Sequence, residues 1–205
     1  MRITAEKLGK RFNREWIFRN LDFTFEQGNT YAITGANGSG KSTLLQILWG
    51  QLPQSAGDVK YESSGKAISI TEIFLHLSIA TPYMDLIDEF TLTEMVRFHF
   101  KFKKVRGDHA IDELIRRMEL LHASDKLISN FSSGMKQRLK LALAFYADTN
   151  LIFLDEPSTN LDKKSTQWYL ENLLSLPKEC LVFIASNQEQ EYPPDAIKLD
   201  MRAYK

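Results

Sequence analysis

The sequence has 205 residues, 26 basic against 26 acidic, with 43% hydrophobic and 25% charged side chains. That is ordinary globular usage; it excludes disordered and collagen-like chains, and the length suits one domain with a self-sufficient core. A single cysteine, Cys180, allows no internal disulfide, as expected in a reducing cytoplasm, and zero net charge argues against nucleic acid or acidic lipid as partner.

In chain order, apolar alternation predicts strands over Arg2–Glu6 and Phe18–Phe25, then a strand over Tyr31–Thr34 after a turn at Glu26-Gln27-Gly28-Asn29. A glycine-rich loop follows. Ser42–Trp49 then carries Leu44, Leu45, Ile47 and Leu48 at helical spacing, and Gly50 and Pro53 end that helix. Thr93–Phe102, His109–Leu121 and Ser132–Tyr146 read as helices, the second with Ile111, Leu114, Ile115 and Met118 on one face. Leu151–Leu154 and Leu181–Ala185 are short continuous apolar runs, as strands buried on both faces should be, with a helix over Thr166–Leu174 between them. The pattern predicts an α/β fold: a mostly parallel sheet, a small N-terminal antiparallel β part and a helical insertion. The core is expected at about 1–72 and 148–205, and the helical subdomain at about 73–147. The longest apolar run, Leu141 to Ala147, falls far short of the ~20 residues of a membrane span.

Gly35-Ala36-Asn37-Gly38-Ser39-Gly40-Lys41-Ser42-Thr43 matches G-x-x-x-x-G-K-[ST] between a predicted strand and a predicted helix. Glycines let backbone N–H groups converge on an anion, and the helix N-terminus adds partial positive charge. Lys41 would bridge the outer phosphates and the Ser42 hydroxyl would ligate Mg²⁺. Leu151–Leu154 runs into Asp155 and Glu156, placing two carboxylates where α/β sheets bind ligands. Asp155 would hold the Mg²⁺ water shell, and Glu156, on the opposite side, would polarise an attacking water. Alone, that pair reads better as a solvated strand end; beside the phosphate loop, the metal-binding reading prevails. Both motifs together still admit kinases, GTPases, helicases and recombinases, although the Asn-Lys-x-Asp base-reading motif of a GTPase is missing. Phe131-Ser132-Ser133-Gly134-Met135-Lys136-Gln137-Arg138 opens the third helix, with Ser132 placed as its cap.

The ordered set resembles the ATP-binding cassette of ABC transporters over nearly the whole chain. Gly35–Thr43 is similar to Walker A and Leu151–Glu156 to Walker B with its catalytic glutamate. Ser158-Thr159-Asn160-Leu161-Asp162 resembles the D-loop, Phe131–Arg138 the signature, and Pro53–Val59 the family's Pro-x-x-x-Gly-x-Val segment. Phe12 falls where the family stacks an aromatic ring on adenine, with Trp16 as rival and core packing as the alternative for Phe12. The resemblance implies ATP and Mg²⁺ as ligands and two cassettes, a homodimer or a pair of paralogues, joined head to tail. Ser132 and Gly134 of one would then contact ATP held by the other. It also implies a separate transmembrane permease, hence a cytoplasmic subunit at the inner membrane face, with no nucleic-acid partner; docking is expected over Thr71–Phe90.

Three of the family's diagnostic loops depart from its pattern. Ser133 and Met135 replace a glycine and a glutamine of the signature. Asn187, after Leu181–Ala185, stands where the family has a catalytic histidine; His76, His99, His109 and His122 lie elsewhere. Thr81-Pro82-Tyr83 occupies the place of the Q-loop glutamine. The expectation is an ATPase subunit of a transporter, with turnover slowed at Asn187. The alternatives are a regulatory cassette with little hydrolysis and a soluble cassette protein outside transport. The sequence reads as a bare cassette, Leu181–Ala185 being its final core strand.

Overall fold

Five short strands build the central sheet of the computed structural model, which describes residues 1–107 and 109–205. They are β3 (Thr30–Thr34), β6 (Leu77–Ala80), β7 (Leu151–Asp155), β8 (Leu181–Ala185) and β9 (Ile197–Asp200). Their order is β6-β7-β8-β3-β9 and every pairing is parallel. All residues of β7 and β8 are buried, so neither face of the sheet centre meets water. Alternate residues serve two different cores. Leu151 and Phe153 of β7, with Leu181 and Phe183 of β8, point to one side; Ile152, Leu154, Val182 and Ile184 point to the other.

The first core lies under a second, antiparallel sheet of order β2-β1-β4-β5, formed by β1 (Arg2–Phe12), β2 (Glu15–Glu26), β4 (Ala56–Ser63) and β5 (Lys66–Ile68). Phe153 stacks on Phe183 at 4.7 Å, Phe25 meets Phe183 edge-on at 4.8 Å, and α1 (Lys41–Leu48) contributes Leu44 and Leu45. Truncating a buried ring of this kind to alanine costs about 3–5 kcal/mol. The second core joins the sheet to the helices: α2 (Leu92–His99), α3 (Ile111–Arg117), α4 (Ser133–Tyr146) and α5 (Lys163–Leu174).

The α/β class, the parallel sheet and the N-terminal antiparallel part agree with expectation. Several boundaries do not. β1 runs on to Phe12 because register shifts, with Lys7 at φ +45°, let the strand bend without ending. The helix expected over His109–Leu121 shortens to α3, since Glu119 at φ +56° breaks it. β6 lies inside the 73–147 stretch expected to be helical, yet pairs with β7; Asp108, in the same stretch, lies outside the described residues. Leu181–Ala185 is not the last strand, because β9 pairs with β3 at the sheet edge. Among the described residues no helix is long and apolar enough to cross a membrane.

Candidate nucleotide site

β3 delivers the chain to the phosphate loop and α1 carries it away. Gly35 and Gly40 hold φ of +132° and +100°, and a Cβ on either would meet Ser39 Oγ at 2.6 Å or Ile17 Cγ2 at 2.7 Å. Only glycine fits at both. Ala36, Asn37 and Gly38 form an exposed rim; Ser39, Gly40 and Lys41 form the buried floor. Lys41 Nζ folds back to donate to the carbonyls of Gly35 (2.8 Å) and Ala36 (3.3 Å). The N-cap of α1, Gly40, has no side chain to cap it, so first-turn N–H groups around Ser42 and Thr43 face the loop as free donors for an anion.

Asp155 ends β7 two strands away from β3, is buried, and has Oδ1 without a partner; Ser39 Oγ is likewise buried and unpartnered. Burial raises the Asp155 carboxyl above its usual range, while the neighbouring Ser42 hydroxyl and Lys41 ammonium pull it down and Glu156 adds to the rise. A buried carboxylate with an open oxygen is costly alone and suits a cation. Ser42, Asp155 and the orphaned oxygens therefore fit Mg²⁺ and phosphate. Glu156 turns away at φ +46°, its N–H donating to Ala185 O at 2.9 Å and its carboxylate exposed beside the Thr159 hydroxyl. The two adjacent carboxylates therefore sit in opposite environments, one dry and one wet.

Asn187, just past β8, donates from Nδ2 to Asn37 Oδ1 at 3.0 Å, which places it on the rim of the phosphate loop. Phe12 is exposed, so it is not a core residue; Lys10 Nζ lies 5.1 Å from its ring centre. Trp16 packs against Gly9 on the same sheet.

Ser132 caps α4, its Oγ accepting from Met135 N at 3.3 Å. Ser132 and Gly134 are not brought to the phosphate loop. They line a separate hollow of about 450 Å³ with Glu119, Arg138, Asn160 and Lys164. This loop is joined instead to Ser158–Asp162: a Cβ on Gly134 would lie 2.9 Å from Asn160 O, and Gln137 Nε2 donates to Pro157 O at 2.8 Å.

Two buried charges escaped the sequence reading. Glu191, almost fully buried, accepts from the N–H and hydroxyl of Ser158, and its own carbonyl accepts from Tyr169 Oη at 2.6 Å. Lys140 Nζ, on α4, donates to Pro82 O at 3.0 Å and Thr81 O at 3.3 Å. No local pattern announces either, because both partners are far away in sequence. Thr81 also lines an apolar groove of about 510 Å³ with Trp49, Ile70, Phe74, Tyr83 and Met84, and the groove reaches Asp155.

The family model described as ABC transporter matches residues 18–159. An uncharacterized ABC transporter ATP-binding protein of Bacillus subtilis, YybJ, is 30% identical over 191 residues, 92% of this chain and 86% of that protein. Other curated relatives are longer, and this chain spans 7% to 61% of them. In fold, the chain is similar to an ABC transporter ATP-binding protein of Pyrococcus furiosus (TM-score 0.82, 20% identity, covering 100% of this chain and 99% of the other). It is also similar to the dimeric bacterial ABC transporter cassette MJ0796 (TM-score 0.80, 20% identity, 97% and 94%).

Proposed function

The chain belongs to the ABC transporter family, and from that premise we propose that it hydrolyses ATP as one of two paired cassettes driving a separate membrane permease. The observation that carries this reading is the separation of the site into two halves. The phosphate loop, Asp155 and Glu156 occupy one region, and Ser132 and Gly134 line another hollow of the same chain. One copy alone cannot close both on one nucleotide; a second copy, or a paralogue, facing it head to tail can. ATP then favours the closed pair and its hydrolysis releases it, a population shift set by differential affinity.

In this reading Phe12 stacks on adenine, the N–H groups of Gly35–Thr43 surround the phosphates, and Lys41 exchanges its loop carbonyls for phosphate oxygens. Ser42 and Asp155 hold Mg²⁺, which when bound neutralises phosphate charge. Glu156, exposed and turned away from Asp155, takes a proton from water as its oxygen attacks the terminal phosphorus and the bond to the bridging oxygen breaks. Asn187 orients a terminal phosphate oxygen by hydrogen bonding but carries no imidazole. The apolar groove beside Tyr83 and Met84 receives the permease, which places the subunit on the cytoplasmic side of the membrane. A second reading, a cassette that binds ATP but scarcely turns it over, is favoured by Asn187 alone.

The test is Glu156→Gln. Bound MgATP should hold that variant as a dimer in size-exclusion chromatography, with ATP turnover at least 100-fold below wild type, a drop of the size general-base loss brings. A variant that stays monomeric, or a wild type that binds no MgATP, overturns the proposal. Wild-type turnover that Glu156→Gln leaves unchanged would favour the second reading.

A further inference from the structure

The chain is neutral as a whole, but its charge is not evenly spread. Residues 97–106 read Arg-Phe-His-Phe-Lys-Phe-Lys-Lys-Val-Arg, five cations and three phenylalanines with no acidic residue among them. α2 ends within this segment, at His99. Arg97, Lys101 and Lys104 are exposed, and among the described residues none of them forms an ion pair. Phe98 stacks edge-on against Phe90 at 5.5 Å and Phe102 at 5.2 Å, and Phe102 leaves 74% of its surface in water. Lys103 Nζ donates to the carbonyls of Phe74 and Leu77, which joins the segment to the exposed Phe74 that lines the apolar groove and to its exposed neighbour Leu75. Of the acidic groups nearby, Glu94 is tied into the cap at Thr91 and Asp88 pairs with Lys136, while Glu89, beside Phe90, and Asp148, whose N–H donates to Lys104 O at 2.8 Å, are exposed.

We propose that this surface, Arg97–Lys104 with Phe98 and Phe102 exposed, rests on the headgroups of an anionic lipid bilayer. Cations beside exposed apolar rings are the composition of an interfacial contact: the charges are drawn to anionic headgroups, and the rings enter the boundary with the acyl chains. The rings pack against one another rather than standing apart as platforms for bases, which disfavours nucleic acid. Adjacency to the groove means that a docked permease and a lipid surface would lie side by side on one face. The contact needs no permease and no nucleotide, so its test is independent of the function proposed above.

Flotation of the purified chain with vesicles decides it. It should float with vesicles of phosphatidylcholine containing phosphatidylglycerol, not with pure phosphatidylcholine, and the bound fraction should fall as salt screens the charges. Losing one cation weakens partitioning about fivefold. Arg97→Glu/Lys101→Glu should therefore reduce affinity by at least about 25-fold, and Phe102→Ser should reduce it without changing the salt response. Lys178→Glu, an exposed cation before β8, should float as wild type does. Each variant is checked for intact secondary structure by circular dichroism. The proposal is overturned if the chain fails to float with anionic vesicles, floats equally with neutral ones, or is unaffected by the double charge reversal. Displacement from the vesicles by a single-stranded oligonucleotide would overturn it too, in favour of nucleic acid.

Discussion

Asn187 Nδ2 lies 3.0 Å from Asn37 Oδ1, so the segment after β8 is fastened to the rim of the phosphate loop across 150 residues of chain. Both side chains are uncharged amides on exposed positions, and their pairing holds Asn187 against the rim of the phosphate loop. If that position contacts the reacting phosphate, Asn187→Ala should lower kcat by roughly tenfold with little change in KM for ATP, and Asn187→His should raise it by a similar factor. Steady-state phosphate release measures both. Asn37→Ala should produce a smaller loss, since it frees Asn187 without removing it.

Asp155 makes the opposite trade. Its folded carboxyl titrates above the unfolded value because it is buried, so its ionised form at neutral pH destabilises the nucleotide-free protein. Asp155→Asn should raise the melting temperature without ligand by a few degrees, the shift about 1 kcal/mol produces in a chain of this size. The same variant should lose the further stabilisation that MgATP gives wild type. Differential scanning fluorimetry with and without MgATP checks both directions; a variant destabilised in both conditions would show that the carboxylate is structural.

Most of the candidate site was legible because its residues lie close together in sequence. Gly35 and Gly40 sit at positive φ within one loop, and β7 is an unbroken apolar run that ends in its own carboxylates. The features that escaped depend on distant partners. β6 is only four residues long and has Ser78 at its centre, which reads as polar until its hydroxyl is seen 2.7 Å from Thr149, 71 residues on. β9 is an edge strand with Ile197 and Lys198 exposed, so it lacks the continuous apolar signature of β7 and β8. In β4, Gly57 is picked out only through the Pro53–Val59 resemblance; it is required because a Cβ would fall 2.3 Å from the carbonyls of Glu6 and Lys7, a close approach that no single-strand pattern reveals.

His99 gives the protein an acid limit. Burial first, and then the charge of Lys103, lower it to about 4, a backbone hydrogen bond with Leu143 opposing them, and its Nε2 has no partner. For a base whose folded value lies below its unfolded value of 6.5, stability is complete above pH 6.5 and is lost as pH falls toward about 4. The full loss from this group is at most about 3 kcal/mol. His99→Phe should keep neutral-pH stability within about 1 kcal/mol and flatten the decline between pH 6.5 and 4 in urea titrations.

Lys140 ties the groove to α4, the helix that Ser132 caps. Its ammonium is nearly buried, is shifted down by that burial, and donates to the carbonyls of Thr81 and Pro82. One turn earlier on α4, Lys136 pairs with Asp88 at 2.8 Å. The two contacts are unequal. Lys136–Asp88 is largely exposed and worth at most about 1 kcal/mol, whereas charged hydrogen bonds to buried carbonyls are worth about 1.5–3 kcal/mol and leave unsatisfied acceptors when lost. Lys140→Met should therefore destabilise the protein by about 1–2 kcal/mol, the methionine recovering part of the packing, and Lys136→Ala by under 0.5. Hydrogen exchange should accelerate at residues 81–88 in Lys140→Met while residues 35–43 of the phosphate loop exchange as in wild type. Acceleration spread evenly over the chain would mean that Lys140 supports global stability rather than this one connection between loop and helix.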